Sequence, residues 1–462
     1  MLVDDQRMAR AFDVVVLGAG PAGEVCAGRL ADGGLEVAIV EEHLVGGECS
    51  FYACMPSKAL LRPAEALEEA RRIPGAAEAA TGTLDVPAAL ARRDEVIHDL
   101  DDSAQVPWLD DNGITLVRGR GRLDGKLTVR VGDEVLEARR AVVVSTGSDA
   151  TMPPIPGLAE AEPWTNREAT VAKTPPEHLV VLGGGPVGVE LAQAWRSLGS
   201  AVTLVESHEH VLGREEPFAA EEVEQALGDA GVDVRTGIRA TAVARSDGKV
   251  TVTLSDGTEA IGDELLLALG RTPRTDGIGL DSVGLGADGP IETDNHLHVQ
   301  AEPWLYAIGD VNGRALLTHQ GKYQGRIAAD HILGRAHASL VYGGPLSPRI
   351  VFTEPQVASV GYTLAAALEA GIDVEAVDAD VNDTAGGSFY GRGVPGRARL
   401  VVDENRRVLV GATFTGAEVG DLLHAATIAI VGEVPLDRLW HAVPCFPSRS
   451  EVWLKLLEAY GL

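Results

Sequence analysis

The chain has 462 residues and a formal net charge of −29 at pH 7. It is too long for a single core, which stops growing at about 250 to 300 residues, so two to four domains are expected; its acidity excludes nucleic acid and anionic membranes as partners. Lysine occurs only at 58, 126, 173, 249, 322 and 455, residues 1–10 lack the apolar run of a signal peptide, and no stretch approaches about 18 uninterrupted apolar residues, which predicts a cytoplasmic protein.

In chain order, residues 12–41 read as a buried apolar strand, a Gly18-Ala-Gly20-Pro-Ala-Gly23 turn, an amphipathic helix and a second strand ending in Glu41. In such a unit the first glycines let the backbone turn and approach a pyrophosphate, whose charge rests on helix amides. The third lets helix and strand pack closely, and the carboxylate takes ribose hydroxyls.

Cys49 and Cys54 follow at once, in Gly46-Gly47-Glu48-Cys49-Ser-Phe51-Tyr52-Ala-Cys54-Met-Pro56-Ser-Lys58. Five residues of regular helix climb about 7.5 Å and turn about 500°, which separates two Cα atoms beyond the roughly 4.4 to 6.8 Å of a disulfide. The segment is therefore irregular if the pair bridges, and Pro56 suits the first turn of a helix that restarts there. The spacing is not a common zinc pattern and no second ligand pair stands nearby. A redox-active disulfide beside a dinucleotide site is the favoured reading, since four cysteines make no structural scaffold in a reducing compartment. Structural thiols remain the alternative.

Residues 179–206 repeat the first unit, with Gly183, Gly185 and Gly188 as its glycines and Glu206 closing its second strand; each acid stands 23 residues after its first glycine. Ser207 and His208 follow Glu206 with no arginine, so a 2′-phosphate would meet a carboxylate. NADH is favoured over NADPH, with His208, His210 and Arg214 as the nearby cations that could counter this. Further on, residues 398–403 and 408–415 alternate as strands, and residues 418–431 have an apolar face at helical spacing.

From about residue 12 to 451 the chain resembles the FAD-dependent pyridine nucleotide-disulfide oxidoreductases, the family of dihydrolipoyl dehydrogenase, glutathione reductase and mercuric reductase. The likeness rests on both glycine units, the cysteine segment running to Lys58, Ser145-Thr146-Gly147-Ser148, Leu269-Gly270-Arg271-Thr-Pro273, Tyr306-Ala-Ile-Gly309-Asp310, and Phe352-Thr-Glu354-Pro355 to Gly361. It implies an α/β fold with two Rossmann-like domains and an α+β dimerisation domain. Residues 1–150 and 277–340 would bind FAD, 151–276 would bind NAD(P), and 341–462 would pair two subunits into a homodimer with shared active sites.

The resemblance also implies roles. Cys54 would lie against the flavin and Cys49 exchange with substrate; Lys58 and Glu190 would form an ion pair by the flavin; Asp310 would hold the ribityl chain. Gly47, Gly121, Thr146, Gly147, Gly309, Gly270 and Arg271 would join the cofactor contacts, as would His319.

The pattern breaks at the C-terminus. The family's tail carries His-Pro-Thr-x-x-Glu, whose His, oriented by Glu, moves the proton in thiol exchange. Aligning on Ser450-Glu451 puts Phe446 where the His belongs, and aligning on His441 puts Val443 there; Glu451 retains the orienting position. Cys445 or His441 could supply a group in compensation, and Phe51 and Tyr52 bring unusual bulk between the cysteines. The favoured function is electron transfer from NADH through flavin and a Cys49–Cys54 disulfide to a small-molecule or protein disulfide. Transfer to a quinone, dye, metal or oxygen without a disulfide substrate is the alternative, and a binding protein without turnover is a third.

Overall fold

The computed structural model describes residues 9–336, 339–341, 343–391 and 393–462; residues 1–8 of the amino-terminal reading lie outside it. Strand β1 (Arg10–Leu17) leads into helix α1 (Pro21–Asp32) and strand β2 (Val37–Glu41). Helices α2 (Gly47–Phe51) and α3 (Cys54–Arg72) follow, then strands β3 (Thr115–Arg118) and β4 (Glu134–Val144). The strand–helix–strand order returns in β5 (His178–Leu182), α4 (Pro186–Ser197) and β6 (Ala201–Val205), continued by β7 (Asp233–Arg235), β8 (Glu264–Leu267), β9 (Glu302–Ala307) and helix α5 (Thr318–Ile332). Strands β10 (Arg349–Val351), β11 (Gln356–Gly361), β12 (Val374–Asp380), β13 (Arg397–Asp403) and β14 (Val408–Gly416) precede helices α6 (Gly420–Val431) and α7 (Val452–Ala459).

These elements gather into two compact units. One comprises the chain to Met55, Asp94–Asp149 and Arg271–Gly344; the other comprises Pro56–Arg93, Ala150–Gly270 and the chain from Pro345.

In the first unit, β3, β2, β1, β4 and β9 lie side by side, each pair parallel. Their near-continuous Val, Ile and Leu runs are those of a sheet buried on both faces. Alternate residues feed opposite cores: Val14, Val16, Ile39 and Val143 pack with Cys26, Ala27 and Leu30 of α1 and Ala328 of α5, whereas Val15, Leu17, Val40 and Val142 pack on the other side. Cys26 is wholly buried there as a small apolar side chain.

In the second unit, β7, β6, β5 and β8 form a parallel sheet. Leu60 and Leu61 of α3, with Ala89 and Leu90, pack into the same cluster as Leu179, Val181 and Trp195, which draws Pro56–Arg93 into this unit. A five-stranded antiparallel sheet in the order β10-β11-β14-β13-β12 forms the remaining layer, with α6 against β11 and β14. The helix read at residues 418–431 begins later, at Gly420, because Glu418 sits at φ 50, outside helical backbone.

Candidate active site

Two glycine turns shape two cradles. In the first unit Gly18 adopts φ +102, and a Cβ on Gly23 would stand 2.0 Å from the Gly18 carbonyl oxygen, so only glycine lets α1 approach β1. Gly20, by contrast, faces open space. It is the N-cap of α1 without a side-chain cap, and Pro21 follows at the first helical position, leaving the first amides of α1 to an external acceptor. Glu41, at the end of β2, accepts from the Ala19 amide at 2.7 Å and the His43 amide at 2.8 Å. Gly47, at φ +59, packs on Gly20, where a Cβ would come within 2.8 Å of its Cα. Gly121 is packed too: a Cβ there would stand 2.8 Å from Leu17 and 2.9 Å from Val40.

The same unit holds a polar chain. Arg271 donates to the Ser148 hydroxyl at 2.7 Å and to Glu48 at 2.9 Å, and Ser148 donates to Asp310 at 2.6 Å. Burial pushes the Asp310 carboxyl above its ordinary range despite Ser148 and Arg271. Gly147 and Gly309 both adopt positive φ, Thr146 donates to the Arg274 carbonyl, and the Gly309 amide donates to Gln324. His319 is exposed on the first turn of α5.

The cysteines occupy a helix break. α2 carries Cys49 and ends at Tyr52, where φ is −135, and Cys54 opens α3 with Pro56 in its first turn. A hydrogen bond joins the Cys49 thiol to Cys54, and this contact, with burial, pushes Cys49 well above the ordinary thiol range. Cys54 Sγ lies 3.3 Å from the Thr318 hydroxyl at the start of α5. Phe51 is wholly buried, so it packs the core rather than facing the sulfurs' surroundings as a surface. Thr318 carried no signal in the sequence, because only the fold brings α5 to the cysteines.

In the second unit Lys58 Nζ stands 2.6 Å from Glu190, whose other oxygen accepts from the Phe352 amide at 2.9 Å. Glu190 is 5% exposed, and Lys58 also lies 4.6 Å from the centre of the Phe352 ring. The second cradle repeats the first. Gly183 adopts φ +107, a Cβ on Gly188 would stand 1.8 Å from the Gly183 carbonyl oxygen, and Gly185 faces open space as the uncapped N-terminus of α4. Glu206 accepts from the Gly184 amide at 2.6 Å, the His208 amide at 2.8 Å and the His208 ring at 2.5 Å. Burial opposes ionisation, but these bonds hold its carboxyl below the usual range. Gly270 adopts φ +107 and its carbonyl accepts from the Thr151 amide.

The tail holds no imidazole at the expected place. Phe446 is 79% and Val443 84% exposed, and Cys445 and His441 are exposed as well. Glu451 accepts from the Ser448 amide at 3.2 Å in a reciprocal capping box, so its carboxylate secures the turn into α7. Among the described residues no group of His, Cys, Asp and Glu is arranged to hold a metal, and no helix is long and apolar enough to cross a membrane.

Both cradles fit a dinucleotide on their own geometry, with an open second glycine, unclaimed helix amides and an acid at the end of the neighbouring strand. Comparison with known proteins agrees. A family model described as pyridine nucleotide-disulphide oxidoreductase matches residues 12–327, and that family's dimerisation domain matches residues 347–457. Dihydrolipoyl dehydrogenase of Chlorobaculum tepidum is 33% identical over 96% of each chain. Mercuric reductase of Staphylococcus aureus is 28% identical over 95% of this chain and 81% of its own. The Cu(II) complex of the HOCl-induced flavoprotein disulfide reductase RclA from Escherichia coli superposes with a TM-score of 0.84 at 26% identity, covering 98% of this chain and 99% of that one.

Proposed function

Because the chain belongs to the pyridine nucleotide-disulphide oxidoreductases, enzymes that use FAD and NAD(P)H, we propose that it carries electrons from NADH to a disulfide substrate through Cys49 and Cys54. The observation that supports this most directly is the pair itself, hydrogen-bonded across a helix break in the unit that holds the first cradle. FAD, when bound, supplies the two-electron relay between nicotinamide and sulfur.

The chain's own residues take the remaining parts. Residues 1–150 and 277–340 hold FAD, with Gly18, Gly20, Gly23, Gly47, Glu41, Thr146, Gly147, Gly309 and Asp310 lining its site. Residues 151–276 hold NADH at Gly183, Gly185, Gly188 and Glu206. Lys58 and Glu190 present a fixed ion pair to the flavin, Cys54 faces it, and Cys49 exchanges with substrate. Residues 341–462 pair two chains into a homodimer, which works in the cytoplasm.

Anaerobic titration of the holoenzyme with NADH tests this. Two electrons should expose two new titratable thiols and raise a long-wavelength absorption of the Cys54 thiolate against flavin, lost in Cys54→Ser and kept in Cys49→Ser. Bleaching of the flavin with no new thiols would refute the sulfur route.

The tail favours a second reading, in which the acceptor is a quinone, metal or oxygen. A phenylalanine moves no proton, loss of a general acid–base costs about 10² to 10⁴ in rate, and Glu451 is engaged by Ser448. Under this reading the wild type reduces quinones rapidly and lipoamide or glutathione disulfide slowly.

A further inference from the structure

The Lys58–Glu190 pair is placed by more than its own attraction. Glu190 is almost fully buried, and a carboxylate removed from water keeps a fixed position only when both of its oxygens find partners. Lys58 meets Oε2 at 2.6 Å, and the Phe352 amide donates to Oε1 at 2.9 Å. The ring of Phe352 also packs 4.6 Å from the Lys58 ammonium. The geometry of the pair therefore depends on where residue 352 stands.

Residues 352–355 connect β10 to β11 outside the ladder of either strand, so their backbone groups need partners elsewhere. Gln193 supplies them at Glu354. Its Oε1 accepts from the Glu354 amide at 2.8 Å while its Nε2 donates to the Glu354 carbonyl at 3.0 Å, a use of both ends of the amide that a flipped side chain would lose. Gln193 lies one turn beyond Glu190 on the same face of α4, so one helix grips the connection at both Phe352 and Glu354. The Glu354 side chain adds a further tie, accepting from Arg72 of α3 at 3.1 Å, and α3 is the helix that carries Lys58. The two helices and this connection form a closed circuit of polar contacts, all of it within the second unit.

We propose that Gln193 is a positioning residue for the ion pair: by clasping Glu354 it fixes Phe352, and through Phe352 it fixes how the Lys58 ammonium and the Glu190 carboxylate stand toward bound flavin. This rests on the reading that the pair lies by the flavin. A cation held there favours the electron-rich, reduced form and raises the potential at which the flavin accepts electrons. The Lys58 side chain is 35% exposed, and its stem is long and flexible. Without the clasp, the Phe352 amide and ring no longer confine the pair, and the ammonium is free to turn toward water. Gln193 itself forms no bond in electron transfer and acts only through the pair.

The test is the midpoint potential of the flavin, measured by equilibration with indicator dyes in holoenzyme carrying Cys49→Ser and Cys54→Ser, so that flavin alone takes up electrons; the bound-flavin spectrum and Tm report folding. Gln193→Met keeps the length of the side chain and loses both hydrogen bonds. It should lower the reduction equilibrium about tenfold, about 30 mV for a two-electron couple, and slow reduction by NADH without changing the NADH concentration that half-saturates the step. Gln193→Asn, too short to reach both backbone groups, should do the same with a smaller side chain, so the result does not hang on the folding of one variant. Lys58→Met should lower the potential by at least as much. A Gln193 variant with lower Tm but wild-type potential overturns the positioning role and leaves the ion-pair reading standing, as does loss of flavin from both Gln193 variants while Lys58→Met retains it. A wild-type potential in Lys58→Met overturns that reading and the proposal together.

Discussion

Under the proposed function, Glu206 is the residue on which the choice of nucleotide turns. Its oxygens are fixed by two backbone amides and the His208 ring, and its carboxyl is held below the usual range, so it is anionic at neutral pH. A ribose 2′-hydroxyl can donate to such a group, whereas a 2′-phosphate cannot and is repelled. NADH should exceed NADPH in kcat/KM by about tenfold or more, the equivalent of about 1.4 kcal/mol. Stopped-flow reduction with each nucleotide measures the ratio, and parity would overturn the assignment and point to Arg214 or His208 as the group that meets the phosphate. A second residue couples the fold to pH. His331 stacks on His296 at 4.5 Å, places its Nδ1 3.0 Å from the Tyr306 hydroxyl and lies near His298, whose ring is 2.6 Å from Asp294. Burial first, then the two neighbouring imidazoles, lower its proton affinity below that of an ordinary histidine. The unfolded chain therefore binds the proton more readily. Stability conferred by the neutral ring is present above the ordinary histidine range, about 6.5, and falls as pH drops below it. Chemical denaturation between about pH 5 and 8 should show this loss, and His331→Gln should flatten it; an unchanged slope in the variant would place the effect elsewhere.

At the scale of elements, the two strand–turn–helix units separate architecture from binding within a single motif. Gly188 is committed to packing, because a Cβ would drive into the Gly183 carbonyl, while Gly185 faces open space at an ordinary φ of −73. Gly188→Ala should cost about 1 to 3 kcal/mol, the range of an overpacked core, and lower Tm. Gly185→Ala should leave Tm nearly unchanged, since the added methyl meets no protein atom within 4 Å, and under the proposed function it should raise KM for NADH. Thermal unfolding beside NADH kinetics separates the two, and equal losses of Tm would disprove the division. These units were legible in the sequence because glycine spacing, apolar runs and terminal acids are all local. The break between Cys49 and Cys54 was legible too, from the length of a helical turn and the place of Pro56. The ion pair of Lys58 with Glu190 emerged only through the family resemblance, being formed by residues 132 apart. Thr318 gave no signal at all, since its contact with Cys54 depends on where α5 packs. The same holds for Pro56–Arg93, whose leucines join the second unit through tertiary burial that no local pattern announces.

At the scale of the whole molecule, the segment matched by the family's dimerisation domain carries apolar side chains that this chain alone leaves uncovered. Ile428 and Val431 project from α6, and Trp440, Val443 and Phe446 follow along the tail. Isolated exposed apolar residues are ordinary, but several along one segment mark a surface that another protein covers. A second copy of the chain is the partner that the matched domain implies. The holoenzyme should therefore sediment at about twice the 48.4 kDa of one chain. Ile428→Glu combined with Val431→Glu should yield folded monomers, because each carboxylate would have to be buried unpaired in the interface. The functional consequence follows from where the nucleotide cradles lie. Each is built wholly within one chain, so monomers should still be reduced by NADH. If the tail of one subunit serves the cysteines of the other, turnover of an external disulfide should collapse in the same monomers. Stopped-flow reduction set beside steady-state disulfide turnover reads both steps on one sample. Loss of both together would show that the dimer supports the fold of each nucleotide site, and retention of both would remove the tail from the reaction.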